Sequence, residues 1–193
     1  MCGRYQFSIR SDAAPMRRLR QLAQEAQLEL PAGELAPGCL APVLMAGGPK
    51  ARLALMQWGF PLADTGRLIF NARAESAGRK PLFAQCLARR RCVLPATAFY
   101  EWSHGEDAQQ YRFTAPGRPV LYLAGLYDRF DGTDCFVILT CPAVGQVAAI
   151  HNRQPITLHQ SELLLWLNDP QEAARLLQRP GEALSGEALQ WEP

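Results

Sequence analysis

The sequence RRCVLPATAFYEW, residues 90–102, decides the fold of this chain. It contains two apolar runs, 91–95 and 97–102, whose β-branched and aromatic residues are typical of strands. Further runs of this kind, separated by Gly, Pro and Asp, occur on both sides of it, at 52–58, 67–73, 110–114, 119–127 and 135–141. The sequence therefore predicts a strand-rich central region.

Helices are predicted mainly near the two ends of the chain. Apolar residues recur at three- and four-residue steps between residues 12 and 28, which indicates an amphipathic helix. Three shorter helices are predicted at 81–89, 160–168 and 170–178. For the last of these, Asp169 can serve as the N-cap and Pro170 as the first helical residue.

The order of these elements predicts an α+β fold. The segment 31–49 is rich in Pro and Gly, which favours a loop with one short strand at most. Strand spacing is irregular and the helices lie near the ends of the chain, so we expect a mostly antiparallel sheet or a partly closed barrel. A length of 193 residues favours one domain over residues 1–193.

Composition excludes several classes of protein. No apolar run approaches the roughly 18 residues of a membrane span, and the N-terminus lacks the apolar core of a signal peptide. We therefore expect a cytoplasmic protein whose six cysteines are reduced thiols. No CxxC pair is present, so neither a metal nor a cofactor is predicted. The formal charge of +2 neither favours nor excludes nucleic acid as a partner.

Cys2 is the first candidate for chemistry. Loss of Met1 would leave an α-amine and a thiol on adjacent carbons, with ordinary pKa values of about 7.7–8.0 and about 8.5. Such a 1,2-aminothiol condenses with an aldehyde to an imine and then closes to a thiazolidine, which neither a lysine nor an internal cysteine can do. Position alone favours the alternative, an ordinary residue at the end of the chain.

Glu101 and His151 are candidate proton-transfer groups. Glu101 interrupts the aromatic sequence AFYEW, where a carboxylate must face solvent or be held in a site. His151 lies in a polar insertion between apolar runs, and imidazole changes its charge near neutral pH. A solvated glutamate on a strand and a hydrogen-bonded structural histidine are the alternatives.

Other residues are suited to nucleic acid. Arg4, Arg73 and Arg153 each lie within two residues of Cys2, Asn71 or His151. Arginine is the side chain best suited to bidentate phosphate contacts. Trp58 and Trp102 are candidates for stacking on the bases of a single strand.

Four separated segments together resemble the SOS response-associated peptidase (SRAP) domain, a family that includes sensors of abasic sites in DNA. They are MCGR at 1–4, NARAE at 71–75, RRCVLPATAFYEW at 90–102 and IHNRQP at 150–155. The match extends from residue 1 to about 168, in the order of the family. Three departures stand out: Glu34 replaces a usual asparagine, Asn152 an aspartate and Gln154 a methionine.

The resemblance implies a mostly antiparallel, partly open β-barrel with flanking helices, together with a function and a set of residue roles. Cys2, released by self-cleavage after Met1, would link covalently to the aldehyde of an abasic site in single-stranded DNA and so protect the site during the DNA damage response. By the same resemblance, Asn71 would hydrogen-bond to the N-terminal amine or to its linkage with the sugar. Glu101 would act as the acid–base catalyst of imine formation, and His151 would donate the proton that opens the sugar ring. The implied DNA-binding residues are Arg4, Arg73, Arg153, Trp58, Trp102, Pro37 and Thr140.

The partner implied is single-stranded DNA with an abasic site, bound by a monomer that joins the nucleoid when on DNA. Two other functions remain open at this point. One is a thiol peptidase or N-terminal nucleophile amidohydrolase, in which Cys2 attacks an acyl carbon. The other is a non-covalent single-stranded DNA-binding module, for which Cys2 is incidental.

Overall fold

The computed structural model of the chain describes residues 2–10, 12–63, 65–105 and 108–190. The strands of these residues are β1 (Arg4–Phe7), β2 (Gly33–Leu35), β3 (Leu40–Ala46), β4 (Ala51–Trp58), β5 (Phe60–Leu62), β6 (Arg67–Ile69), β7 (Asn71–Arg73), β8 (Arg91–Ala96), β9 (Ala98–Trp102), β10 (Gln110–Thr114), β11 (Leu121–Phe130), β12 (Thr133–Pro142), β13 (Arg153–Pro155), β14 (Thr157–Leu158) and β15 (Ser185–Ala188). The α-helices are α1 (Ala14–Glu25), α2 (Ala74–Ala77), α3 (Pro81–Arg89), α4 (Gly145–Ile150), α5 (Leu163–Asn168) and α6 (Pro170–Gln178), and a 3-10 turn spans Gln160–Glu162.

The two strand-forming runs within residues 90–102 become strands of two different sheets. β8 pairs with β3 and β11, whereas β9 pairs with β1 and β10. Between them the Thr97 amide and hydroxyl both donate to the carbonyl of Gln6 on β1. This short stretch therefore joins the two larger sheets of the described residues.

Five strands form a closed barrel. The order β12–β4–β3–β8–β11 returns to β12 because β11 and β12 also pair directly. The β12 pairings with β4 and β7 are parallel, and the other pairings in this sheet are antiparallel. The predicted α+β class and mostly antiparallel barrel are confirmed, except that this ring of five strands is closed.

A second sheet of five strands lies beside the barrel, in the order β15–β10–β9–β1–β2. β1 is an interior strand, paired with β2 on one side and β9 on the other. Residues at the start of the chain are thus fixed by two ladders of hydrogen bonds. Cys2 precedes β1 by two residues and is fully buried.

The predicted helices occur, with small changes at their ends. α3 and α6 match the predicted ranges, and the Asp169 carboxylate accepts hydrogen bonds from the amides of Gln171 and Glu172 at 2.8 and 3.1 Å. The first helix is shorter than predicted, at Ala14–Glu25, and the predicted helix at 160–168 begins as a 3-10 turn. Among the described residues, no helix is both long and apolar enough to cross a membrane.

The observed strands depart most from the sequence prediction in segments 31–49 and 67–73. The expected loop at 31–49 contains β3, a seven-residue strand that pairs with β4 along its length. Pro42 lies within it, and a proline is an uncommon residue for a central strand. The predicted strand at 67–73 is two strands, because β6 pairs with β5 and β7 with β12.

Candidate functional site

Cys2 and Asn71 meet where the start of the chain crosses the barrel. Asn71 begins β7, which is held in place by its parallel pairing with β12. The Asn71 side-chain amide donates a hydrogen bond to the backbone carbonyl of Cys2 at 2.8 Å, across 69 residues of sequence. The structure therefore brings together two of the four predicted catalytic residues by a direct contact.

The Cys2 thiol is held in its neutral form. It is fully buried, and its Sγ donates to the carbonyl of Arg4 at 3.8 Å. Burial raises the pKa of this thiol far above its ordinary range, and the nearby charge of Glu101 raises it further. A thiol in this setting does not ionise near neutral pH, so it is shielded from electrophiles that react with exposed thiolates.

Glu101 supplies a buried carboxyl beside Cys2. It lies on β9, next to β1, and is 3% exposed. Burial raises the pKa of Glu101 to about 7. A carboxyl with such a pKa is present in both protonation states at neutral pH, which is what an acid–base catalyst requires.

His151 follows α4 and faces Glu101. Its Nδ1 lies 4.0 Å from Oε1 of Glu101 and accepts a hydrogen bond from the amide of Arg153 at 3.0 Å. The same Nδ1 also lies 3.2 Å from the carbonyl oxygen of Arg153, so the tautomer of a neutral His151 is set by which of these two backbone contacts Nδ1 makes. Burial lowers the pKa of His151 from its ordinary value, which favours this neutral form. The four predicted catalytic residues thus form one cluster.

Arg4 and Trp102 lie at the edge of this cluster on adjacent strands. The Arg4 guanidinium lies over the Trp102 ring, 5.7 Å from its centroid, and its Nη1 pairs with Oε2 of Glu34 at 3.0 Å. Glu34 is the carboxylate that departs from the family pattern. Its role in this structure is therefore to neutralise an arginine that is predicted to bind phosphate.

Arg73 and Arg153 line a cavity of about 770 Å³ that also includes Asn71, Glu75 and Lys80. Arg73 is exposed, but Arg153 is buried and paired with both carboxylate oxygens of Glu75, at 2.6 and 2.9 Å. The hydrogen bond from Arg153 lowers the pKa of Glu75, which keeps this carboxylate ionised. The two arginines therefore differ in their freedom to contact DNA.

Trp58 and Thr140 do not lie where the sequence predicted. Trp58 is fully buried between Tyr5 and Phe136, and its Nε1 donates to the carbonyl of Phe70 at 2.9 Å. No ring face remains for a DNA base, so the prediction that Trp58 borders the bases is wrong. Thr140 is also fully buried, and its carbonyl and hydroxyl accept hydrogen bonds from Arg153 at 2.6 and 3.2 Å. It supports that arginine and does not line an open groove.

Pro37 is half-buried in the turn between β2 and β3, so its predicted place beside DNA stays a prediction. Two residues near the cluster were missed by sequence reasoning. The exposed ring of His104 lies 5.6 Å from the His151 ring, and Glu75 holds Arg153.

Metal coordination finds no support within the described parts of the chain. No group of three or more His, Cys, Asp or Glu side chains there is arranged to hold a metal ion. The cluster instead offers a thiol, a carboxyl with a pKa near neutrality, an imidazole and an amide. These groups suit proton transfer and nucleophilic addition at a carbonyl carbon.

The resemblance seen in the sequence is confirmed at the level of the family. The family model described as SOS response associated peptidase (SRAP) matches residues 1–193, and the chain belongs to this family. Among its relatives is the abasic site processing protein YoqW of Bacillus subtilis (strain 168), 30% identical over an alignment of 207 positions that covers 98% of this chain and 92% of the relative. The abasic site processing protein YedK of Escherichia coli (strain K12) is 27% identical over 183 residues, covering 86% and 79% of the two chains.

Solved structures share the fold. An X-ray structure of a protein from Bacteroides thetaiotaomicron superposes with a TM-score of 0.80 at 23% identity, covering 98% of this chain and 92% of that one. A protein from Bordetella bronchiseptica gives a TM-score of 0.78 at 24% identity, with coverage of 98% and 100%. At these identities the likeness concerns the fold alone.

Proposed function

We propose that this protein processes abasic sites by capturing them covalently in single-stranded DNA, through the α-amine and thiol of Cys2 after removal of Met1. Membership of the SRAP family and the names of its relatives, abasic site processing proteins, support abasic sites as the substrate. The observation that carries the mechanism is the 2.8 Å hydrogen bond from Asn71 to the Cys2 carbonyl. It fixes the residue whose amine and thiol must both reach one carbon atom.

The first step is self-cleavage after Met1. The Cys2 thiol adds to the Met1 carbonyl carbon, and the peptide nitrogen leaves as an amine after receiving a proton. Water then hydrolyses the thioester, which releases methionine and restores the thiol. Glu101 is suited to carry protons in both stages because its pKa is about 7.

The second step is capture of the sugar. An abasic sugar exists mainly as a closed hemiacetal, so its ring must open before an aldehyde is available. His151 provides the proton donor for this opening. The Cys2 amine then adds to the aldehyde, and the resulting carbinolamine loses water, with Glu101 as the acid, to give an imine.

Ring closure completes the adduct. The Cys2 sulfur adds to the imine carbon, and the thiol proton ends on the ring nitrogen, so that one water is lost per thiazolidine formed. Because the buried thiol is neutral, closure does not depend on a thiolate that oxidants would attack first. Burial thus protects the sulfur until an aldehyde carbon arrives beside it.

DNA binding in this proposal is local and weakly sequence-dependent. Arg4 and Arg73 contact phosphates, and Trp102 stacks on a base or borders the lesion. A single copy of the chain supplies each of the four reacting groups, so a monomer suffices. Capture needs no metal or cofactor, since the aldehyde is the only electrophile and the cysteine is the only nucleophile. The protein acts in the cytoplasm, at the nucleoid.

A crosslinking experiment tests the proposal. The protein is incubated with single-stranded DNA that carries one abasic site, and covalent adducts are separated on a denaturing gel. We expect an adduct with the wild type and none with Cys2→Ala. Cys39→Ala is the matched control, because Cys39 is the exposed cysteine and should be dispensable.

Each other outcome contradicts the proposal in a specific way. An adduct of normal yield with Cys2→Ala would mean that another residue is the nucleophile. Tight binding without any adduct would favour a DNA-binding module. Hydrolysis of peptides by a wild type that forms no adduct would favour a thiol peptidase.

A further inference from the structure

The four reacting groups come from two parts of the fold. Cys2 and Glu101 belong to the five-stranded sheet, whereas Asn71 and His151 belong to strands and turns packed on the barrel strand β12. The segment 181–189, which we call the C-terminal strap, contacts both parts. The relative position of the two halves of the site therefore depends on how this strap is attached.

On the barrel side the strap is attached to Gln154. This side chain is fully buried, and its Nε2 donates to the carbonyl of Glu182 at 2.8 Å. At Gly181 the backbone of the strap packs directly against the Gln154 side chain, because an added Cβ would stand only 2.8 Å from Nε2 of Gln154. A larger residue at position 181 would push the strap off the amide.

On the sheet side the strap forms β15, which pairs with β10. An added Cβ at Gly186 would lie 2.5 Å from the ring of Phe113, so the backbone packs directly on this core aromatic. The Gly186 amide also donates to the side chain of Gln146 on α4 at 2.6 Å. The strap is thus bonded to β10 and to the helix that leads into His151.

Gln154 also closes the turn that presents His151. Its Oε1 accepts a hydrogen bond from the amide of Val144 at 2.9 Å. Val144 precedes α4, and Gln154 lies three residues after His151, so this bond joins the two ends of segment 144–154. The Gln154 side chain therefore holds the two ends of segment 144–154 together and also bonds this segment to the strap.

We propose that Gln154 is a positioning residue for His151, and that it acts together with the C-terminal strap to keep the imidazole aligned with Glu101. The inference rests on the proposed function, since His151 is assigned there as a proton donor. The methionine typical of the family at this position has the same reach but can make neither hydrogen bond. In this chain the departure from the family pattern is therefore a functional link, and it is coupled to the strap.

A double-mutant cycle on the rate of capture tests this role. Gln154→Met is prepared in the wild type and in His151→Ala, and adduct formation is followed by rapid quench at saturating abasic-site DNA. We expect Gln154→Met to slow capture about tenfold in the wild type, the equivalent of one or two lost hydrogen bonds. In His151→Ala it should have no further effect, because the group it positions is gone.

A second variant tests the same role at an exposed residue, where the substitution should not unfold the protein. Gln146→Ala removes an exposed acceptor for the strap, so it should leave the melting temperature nearly unchanged and slow capture about threefold, again only when His151 is present. The exposed Gln160→Ala is the control and should match the wild type.

The outcomes separate the two proposals. If the wild type forms no adduct, the proposed function fails. If the wild type forms an adduct but Gln154→Met and Gln146→Ala capture at its rate, or slow capture equally with and without His151, the positioning role is overturned.

Discussion

The reactive centre and the arginine-bearing rim around it are built in opposite ways. At the centre, Cys2 and Glu101 are buried and their pKa values are raised because water is excluded. At the rim, two of the arginines are paired with carboxylates, Arg4 with Glu34 and Arg153 with Glu75. Under the proposed function, reactivity is thus set by burial, whereas attraction to DNA is limited by internal ion pairs.

This difference separates two kinds of variant. Changes at the centre should alter the rate of capture with little effect on DNA affinity. Changes at the rim should alter affinity and its salt dependence with little effect on the chemical rate. The following predictions test that separation, beginning with the largest effect.

Replacement of Glu101 should have the largest effect on rate. Glu101→Gln keeps the size of the side chain but cannot transfer a proton, and positioned proton transfer typically contributes about 10²–10⁴-fold. We expect the same adduct at a rate lower by about that factor. The inflection near pH 7 in the wild-type rate should also disappear, since it reflects the Glu101 carboxyl. Rapid-quench time courses from pH 5 to 9 measure both, and an unchanged inflection in the variant would remove Glu101 from the mechanism.

The same variant should be more stable than the wild type at alkaline pH. The pKa of Glu101 is about 7 in the folded chain, above the value of about 4.3 in an unfolded one. Its stabilising contribution is therefore complete below the unfolded pKa and is lost as pH rises through about 7. Glu101→Gln stays neutral, so its melting temperature should exceed that of the wild type by several degrees at pH 8, at about 2–4 °C per kcal/mol. The two curves should converge toward pH 4, and a lower melting temperature of the variant at pH 8 would contradict burial as the cause.

Loss of the Asn71 amide should have an intermediate effect. Asn71→Ala removes the hydrogen bond to the Cys2 carbonyl, which is worth about 1 kcal/mol and thus about fivefold in rate. Binding to a non-reactive abasic analogue should change less than twofold. Asn168→Ala, an exposed asparagine far along the chain, is the control. A large loss of affinity in Asn71→Ala without a change in rate would place Asn71 with the rim.

The two arginines of the cavity should behave differently. Arg73→Ala should reduce the slope of log affinity against log salt by about 0.7, the value for one phosphate contact on a single strand. Arg153→Ala should change the slope less and lower the melting temperature more, because it leaves Glu75 and the carbonyl of Thr140 without their partner. Equal changes of slope in both variants, compared with Arg129→Ala as an exposed control, would mean that DNA displaces Glu75 from Arg153.

Removing the charge of Glu34 should have the smallest effect and the opposite sign. Its ion pair with Arg4 is exposed on both sides and is worth about 1 kcal/mol at most. Glu34→Gln frees Arg4 for phosphate, so affinity for single-stranded DNA should rise a few-fold at low salt and return to the wild-type value at high salt. A rise that persists at high salt would point to shape and not charge as the cause.

The sequence predicted the positions of the proposed reacting residues better than those of the proposed DNA-binding residues around them. Cys2, Asn71, Glu101 and His151 are named by short motifs, and the fold brings these motifs to one point. Trp58 was misplaced because periodicity does not distinguish the two faces of a strand in a closed barrel, where one face is fully enclosed. The pairing of Arg153 with Glu75 joins residues 78 positions apart, which no local pattern reveals.

The fold prediction was likewise accurate for elements with a strong local pattern and inaccurate for elements that depend on distant partners. Long runs with strong periodicity, such as α3, α6 and β12, were predicted within a few residues. β1 and β15 were missed because they are four-residue strands whose formation depends on partners elsewhere in the sheet. Pro42 was taken as a sign of a loop, yet β3 runs through it because the barrel fixes neighbours on both sides.

Identification of the attachment point tests the central claim most directly. The adduct formed with abasic single-stranded DNA is treated with nuclease and trypsin, and the modified peptide is identified by mass spectrometry. We expect the modification on the peptide of residues 2–4, with Met1 absent and with the mass of the sugar remnant minus one water. A modified peptide that retains Met1, or a modification on any other cysteine or on a lysine, would contradict capture by the Cys2 aminothiol.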